Sequence, residues 1–179
     1  MLRFPFTPLP VQTRWRNNGL SADFLAAYWE TFSRRNATLS PYTCNEAKDA
    51  IRYIANELLE NAVKFDYQPS GKPITVAFYF SGCKLRFHIT NSIDPQKVGQ
   101  FQQYIQQLSS EDLDTLYIQQ LERNACNTYN TESRLGLLTI LYNYQAQLAW
   151  EFETIQPSPK VIMLTTMAQL DFDVFSNPG

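Results

Sequence analysis

Residues 54–65 read IANELLENAVKF, and this stretch decides the predicted fold of the chain. Ile51, Ile54 and Leu58 recur at intervals of three and four residues, which is the spacing of a buried stripe on an amphipathic helix. The apolar spacing continues toward the N-terminus and stops close to a predicted turn of the chain. It predicts one long helix over residues 44–65.

A polar face accompanies the apolar stripe on this helix. Glu57, Asn61 and Lys64 stand at positions i, i+4 and i+7, which places them within about 60° of one another. An amide oxygen can complete a Mg²⁺ shell, an ammonium can contact phosphate, and a carboxylate can orient a water or hydroxyl. The spacing alone leaves a second interpretation open, a solvated face with a Glu60–Lys64 pair.

The segment before this helix is predicted to be an N-terminal arm followed by a shorter helix. Residues 1–19 are punctuated by proline and form an edge element, with a strand near Val11–Arg16. Ser21 can cap a helix that ends near Arg35.

After the long helix, two strands are predicted over residues 74–80 and 84–90, joined by a Ser-Gly turn. In the second strand apolar and polar residues alternate, as in a sheet with one face in water. A Gln-rich helix follows over residues 95–108. Ser109 and Asp112 then resemble a capping box that opens a further helix.

The C-terminal third is predicted to contain a helix over residues 132–144 and two closing strands, 147–154 and 161–168. Two antiparallel hairpins with helices between them indicate an α+β two-layer sandwich. Its mixed, mostly antiparallel sheet would be covered by helices on one face. The length of 179 residues suits a single domain over residues 1–179.

Composition narrows the class of protein. Fifteen basic and seventeen acidic residues leave a net charge of −2, and without a basic run nucleic acid is not expected as a partner. Cys44, Cys83 and Cys126 form neither a CxxC pair nor an even set, so reduced thiols are expected. No stretch resembles a signal peptide or membrane span, and we expect a soluble cytoplasmic protein.

The stretch from Asn56 to Phe65 resembles the N-box helix of the GHKL, or Bergerat-fold, ATPases, whose members include histidine kinases, gyrase and anti-sigma serine kinases. The resemblance implies that Asn61 holds Mg²⁺ and that Glu57 is the catalytic base or lies next to it. It also implies that residues 95–131 are a lid-like helical region over bound ATP.

Residues 133–138 (SRLGLL) resemble the second glycine box of the same group. The resemblance implies that Gly136 lies at the nucleotide phosphates. Arg134 stands where a small residue is usual, and it could contact phosphate or fill the pocket.

The first glycine box departs from the pattern of the group. Residues 90–95 (TNSIDP) contain no glycine, and Asn91 or Asp94 would replace the aspartate that reads adenine. An asparagine presents a different set of donors and acceptors to the base. The whole chain has six glycines.

The resemblance is closest in kind to anti-sigma factor serine kinases, since the chain lacks a phosphotransfer bundle and His88 is its single histidine. It implies a signalling regulator that works by partner switching, with ATP and Mg²⁺ as cofactors. A sigma factor or a STAS-type antagonist would be the partner, phosphorylated on serine if the domain is active. The alternative is a degenerate, nucleotide-free module that docks a partner protein.

Aromatic residues are concentrated in the first 32 residues, and two roles are open for them. They can fill the core and edge strand, or they can form a homodimer or partner interface, where Trp and Tyr dominate contacts. The residues are Phe4, Phe6, Trp15, Tyr28, Trp29 and Phe32.

Overall fold

The structure is a computed structural model that describes residues 2–6, 22–31, 41–81, 84–126 and 135–172. The elements are β1 (Leu2–Phe6), α1 (residues 22–31), α2 (Pro41–Phe65), a 3₁₀ turn (Gln68–Ser70), β2 (Ile74–Ser81), β3 (Lys84–Ile93), α3 (Val98–Ser110), α4 (Leu113–Cys126), α5 (Leu135–Tyr142), β4 (Gln147–Pro157) and β5 (Lys160–Asp171).

The described strands form one five-stranded sheet in the order β1-β2-β3-β5-β4. Both predicted hairpins, β2–β3 and β4–β5, are present, and every pairing among these strands is antiparallel. The predicted α+β sandwich with a mostly antiparallel sheet is confirmed. β3 continues to Ile93, so residues that were predicted to follow the strand belong to it.

The core lies between the helices and one face of this sheet. In β3, Leu85, Phe87 and Ile89 are buried, whereas Arg86 and His88 on the opposite face are exposed or half-exposed. The stripe of α2 joins the same core, which also receives side chains from every other described helix. The side chains that alternate along the strand and those that recur every 3.6 residues along the helix therefore pack together in one apolar layer.

The N-terminal arm contributes an edge strand, as the proline pattern suggested. β1 pairs with β2 at the end of the sheet, and Pro5 is tolerated there because an edge strand has one unpaired side. The strand predicted near residues 11–16 lies outside the described residues.

Charged pairs tie α1 to α2. Arg52 bonds to Asp23 at 2.5 Å, and Lys48 bonds to Glu30 at 2.8 Å. The Arg52–Asp23 pair is exposed, so its contribution is at most about 1 kcal/mol. Trp29 is buried against Phe172 with ring centroids 4.9 Å apart, so this predicted aromatic belongs to the core.

The start of α4 differs from the prediction. Ser109 lies inside α3 and donates to the carbonyl of Ile105, so it cannot open the next helix. Asp112 is the cap, since its carboxylate accepts the backbone N–H and hydroxyl of Thr115. Within the parts of the chain that the structure describes, no helix has the length and apolarity to cross a bilayer.

Candidate functional site

Glu57 and Gly136 meet where α2 crosses α5. A Cβ built on Gly136 would overlap the Glu57 carboxylate and would stand 3.0 Å from its carboxyl carbon. Glycine is therefore required for the carboxylate to rest against the α5 backbone. The two stretches that resemble the N-box and the second glycine box are thus brought into contact through one residue from each.

The Glu57 carboxyl is held in a partly dry environment. Burial raises its pKa above the ordinary value, and the negative charge of Glu60 raises it further. Burial also raises the pKa of Glu60, opposed by a 2.6 Å hydrogen bond from Asn56. A carboxyl with a raised pKa is better matched to taking up a proton near neutral pH than an ordinary glutamate.

Two tyrosines flank this carboxyl. Tyr53, one turn before Glu57, packs on Tyr144 with ring centroids 5.2 Å apart. The pKa of each phenol is raised, chiefly by burial. Sequence reasoning missed both residues. Tyr53 stands at i−4 from Glu57, and this spacing could have identified it as a neighbour.

Asn61 and Lys64 continue along the same flank of α2. Asn61 is half-buried, and its side chain makes no hydrogen bond to any described residue. Lys64 is exposed, with its ammonium 5.2 Å from the centroid of the Phe65 ring. An amide oxygen without a partner among the described residues and an ammonium one turn further along the helix fit the metal–phosphate end of a nucleotide.

Asn61 would offer a magnesium ion one amide oxygen, which suits an ion whose other ligands are waters and substrate phosphates. Among the described residues, no three His, Cys, Asp or Glu side chains gather into a metal cluster. Mg²⁺ commonly takes one or two protein oxygens together with waters and substrate phosphates.

Asn91 is placed deep in the fold, with 3% of its surface exposed. Its Nδ2 donates to the carbonyl of Ser92 at 2.7 Å. Because a carbonyl can only accept, the amide must present nitrogen to it, and Oδ1 is left as the acceptor on the other side. The amide orientation is therefore fixed by the backbone. In this orientation Asn91 offers an acceptor, as a carboxylate would.

A network of hydrogen bonds that sequence reasoning missed surrounds the next residue. Ser92 is fully buried, and its hydroxyl donates to Asp66 Oδ1 at 2.7 Å and lies 3.0 Å from the Tyr67 carbonyl. The Ser70 hydroxyl donates to Ser92 Oγ at 2.8 Å. Asp66 also pairs with Ile93 as an isolated bridge. This network, the Asp66–Ser92 latch, joins the end of α2 to the end of β3.

Asp94 has a local role in the turn before α3. Its Oδ1 accepts the N–H of Gln96 at 2.9 Å, and its carbonyl accepts the N–H of Lys97. An aspartate that bonds its own backbone two residues later is typical of such turns.

The SRLGLL stretch, which resembles the second glycine box, is described only from Leu135 onward, and Arg134 lies outside the described residues. Helix α5 begins at Leu135, within the predicted range, and Gly136 is its second residue. Leu137 and Leu138 are buried in the core.

The region that was predicted to be lid-like is helical over α3 and α4. Val98 and Phe101 of α3 pack against a small cluster of buried residues from β3 and β5, namely Ile93, Ile162 and Leu164. A small pocket between α3, α4 and α5 is lined by side chains that include Tyr104 and Arg123, and by none of the predicted site residues.

Comparison with known proteins shows the fold. No family model and no curated protein matches the chain. A chain in the crystal structure of the SiaB–SiaC complex from Pseudomonas aeruginosa is similar, with a TM-score of 0.61 and 17% sequence identity. The alignment covers 95% of this chain and 90% of that chain. The fold is therefore shared over nearly the whole domain, by a chain solved in a complex of two proteins.

Proposed function

We propose that the protein is a signalling regulator with a histidine kinase-like ATP-binding domain of the GHKL type, which acts by binding and releasing a protein partner. The part of the proposal that concerns nucleotide binding rests on the contact of Glu57 with Gly136. It joins two residues 79 positions apart (136 − 57), one from each of the two stretches that resemble nucleotide-binding motifs of the same family. The part that concerns a protein partner is supported by the similar fold of a chain solved in a two-protein complex.

Each polar residue on this flank of α2 has a role in the proposal. Asn61 supplies an amide oxygen to magnesium, and Lys64 contacts phosphate. Glu57 would take up the proton of a serine hydroxyl on the partner as that oxygen receives the phosphoryl group. Bound Mg-ATP supplies the phosphoryl group and the charge neutralisation for that step. The partner would be a sigma factor or a small STAS-type antagonist.

Two observations favour a second candidate function, a nucleotide-free module that docks a partner. The Glu57 carboxylate covers the α5 backbone at the glycine where phosphate would approach. Asn91 is almost completely buried, so little of its side chain is open to an adenine ring. In this alternative the same polar side chains stabilise the fold or face solvent.

Capture of partners in the presence of different nucleotides tests the proposal. The chain and its Asn61→Ala variant are immobilised and exposed to a lysate of the native host with no nucleotide, Mg-ADP or Mg-ATP. We expect a protein whose recovery depends on nucleotide with the natural chain and is independent of it with Asn61→Ala. Recovery of the same protein by both chains regardless of nucleotide would favour the docking module.

The captured protein then provides the test of catalysis. Purified partner, labelled ATP and the natural chain should yield phosphoserine, whereas Glu57→Gln should bind the partner without transferring phosphate. If the natural chain captures the partner in a nucleotide-dependent way but transfers no phosphate to it, the function is limited to partner switching.

A further inference from the structure

Strand β4 forms one outer edge of the sheet. It spans Gln147–Pro157, eleven residues, and among the described strands it pairs with β5 alone. Typical strands have about five or six residues, and a long edge offers a row of unpaired N–H and C=O groups to an added strand. A register shift between Thr154 and Gln156 interrupts the regular ladder. The regular part of the edge is therefore Gln147–Thr154.

The two faces of this edge differ in chemistry. Leu148, Trp150 and Phe152 are half-buried on the helix-covered face. Glu151 and Glu153 are exposed on the opposite face. Because successive side chains of a strand point to opposite faces, Glu151 and Glu153 lie on the face of the sheet away from Trp150 and Phe152. The edge thus combines aromatic surface on one face with two negative charges on the other.

These charges disfavour a second copy of the chain at this edge. An antiparallel pair of β4 strands centred on Phe152 would place Glu151 of each copy opposite Glu153 of the other. A parallel pair in register would place each glutamate beside itself. Like charges directly opposite across strands are destabilising.

We propose that the β4 edge is a docking site for an extended segment of a partner protein, which adds to the sheet as a further strand. Lys or Arg at alternate positions of that segment would face Glu151 and Glu153. β-branched or aromatic residues on its other face would extend the surface of Trp150 and Phe152. The inference rests on the proposed function in that the partner is a protein, and it requires no nucleotide.

A defined peptide tests this site directly. The probe is a fluorescein-labelled peptide of sequence Gly-Thr-Val-Lys-Val-Lys-Val-Thr-Gly, whose binding to the full chain is followed by fluorescence anisotropy without nucleotide. Its matched control has the same sequence with every central backbone amide methylated, which keeps the charge and removes the ladder donors. We expect the methylated peptide to bind at least about tenfold more weakly, because ladder hydrogen bonds are lost.

Charge reversal provides the second arm. The double variant Glu151→Lys with Glu153→Lys should lose about tenfold in affinity for the Lys peptide, because two opposite-charge pairs across the strands become like-charge pairs. It should gain affinity for the same peptide with Glu in place of Lys. An unchanged thermal midpoint would show that the variant is folded.

Three results would overturn the proposal. Equal binding of the methylated peptide would show charge attraction alone, and absence of binding would remove the site. Self-association of the natural chain that is altered by charge reversal would identify the occupant as a second copy. Each result leaves nucleotide binding and nucleotide-dependent capture untouched, so failure here is separate from failure of the proposed function.

Discussion

The Glu57 carboxylate lies against the backbone of Gly136, where a single added methyl group would overlap it. This contact joins the polar flank of α2 to the first turn of α5. It also gives a steric reason for a glycine at this position of the SRLGLL stretch.

Replacing Gly136 with Ala should displace the Glu57 carboxylate without destabilising the fold. Alanine favours a helix by up to about 1 kcal/mol over glycine, and the atoms it would meet are the end of a flexible side chain that can rotate away. We expect an unchanged or slightly higher free energy of unfolding. The Glu57 pKa, followed by NMR, should fall toward its ordinary value because the carboxyl is driven out of its buried position.

Gly99→Ala is the matched control for this substitution. Gly99 is the second residue of α3, as Gly136 is of α5, and nothing lies within 4 Å of a Cβ at Gly99. It should leave the Glu57 pKa unchanged. A Gly136→Ala variant that keeps the raised pKa of Glu57 would show that the contact does not hold the carboxyl.

Glu57→Gln should stabilise the protein at neutral pH. The pKa of Glu57 is raised in the folded state, so the folded protein holds this proton more tightly than the unfolded chain. The stability from this proton is full below the ordinary pKa and is lost as pH rises through the folded-state pKa. The neutral amide avoids that loss. Urea unfolding at pH 7 and pH 4 should show the gain shrinking in acid.

The control for this prediction removes an exposed negative charge. Glu122→Gln lies on the exposed face of α4 and should change the unfolding free energy by less than about 0.5 kcal/mol. A Glu57→Gln variant less stable than the natural chain at pH 7 would mean that the charged carboxylate is itself stabilising.

An aspartate at position 91, as in the GHKL pattern, should destabilise the fold. Asn91→Asp would place a buried carboxylate oxygen against the Ser92 carbonyl, where a donor is now present. We expect a loss of about 2 kcal/mol or more at neutral pH, measured by urea unfolding. The exposed Asn143→Asp change should have little effect. Equal stability of both variants would show that the amide orientation is not required.

Removing the Ser92 hydroxyl should weaken the Asp66–Ser92 latch. Ser92→Ala loses hydrogen bonds to Asp66 and Ser70 in a fully buried position and should cost about 1–2 kcal/mol of unfolding free energy. Ser109→Ala, which removes an exposed hydroxyl on α3, should cost far less. Hydrogen exchange should show earlier opening where α2 meets β3 in Ser92→Ala alone. Equal losses of unfolding free energy in the two variants would show that the Asp66–Ser92 latch does not stabilise the fold.

Local periodicity in the sequence predicted much of the fold. The apolar spacing of α2 and the alternation in β3 each report on a single element, and both elements are present at nearly the predicted residues. Helix α5 lies within the predicted range 132–144, and both closing strands are present, since their apolar runs and the proline turn between the strands are local signals.

Local sequence patterns do not predict long-range contacts. The Asp66–Ser92 latch joins side chains 26 positions apart, and no local pattern marks either residue. The Ser109 capping box was wrong because helix α3 continues through Ser110, and that choice depends on how α3 packs on the sheet. The buried state of Asn91 likewise depends on β3 extending into the predicted loop.

Isothermal titration of Mg-ATP into the natural chain and into Asn61→Ala tests the central claim, that the polar flank of α2 binds the metal–phosphate end of a nucleotide. The natural chain should give saturable heat at one site. Asn61→Ala should bind at least about tenfold more weakly with an unchanged thermal midpoint, because its side chain bonds to no described residue. No heat from the natural chain, together with a thermal midpoint that Mg-ATP does not move, would contradict the claim.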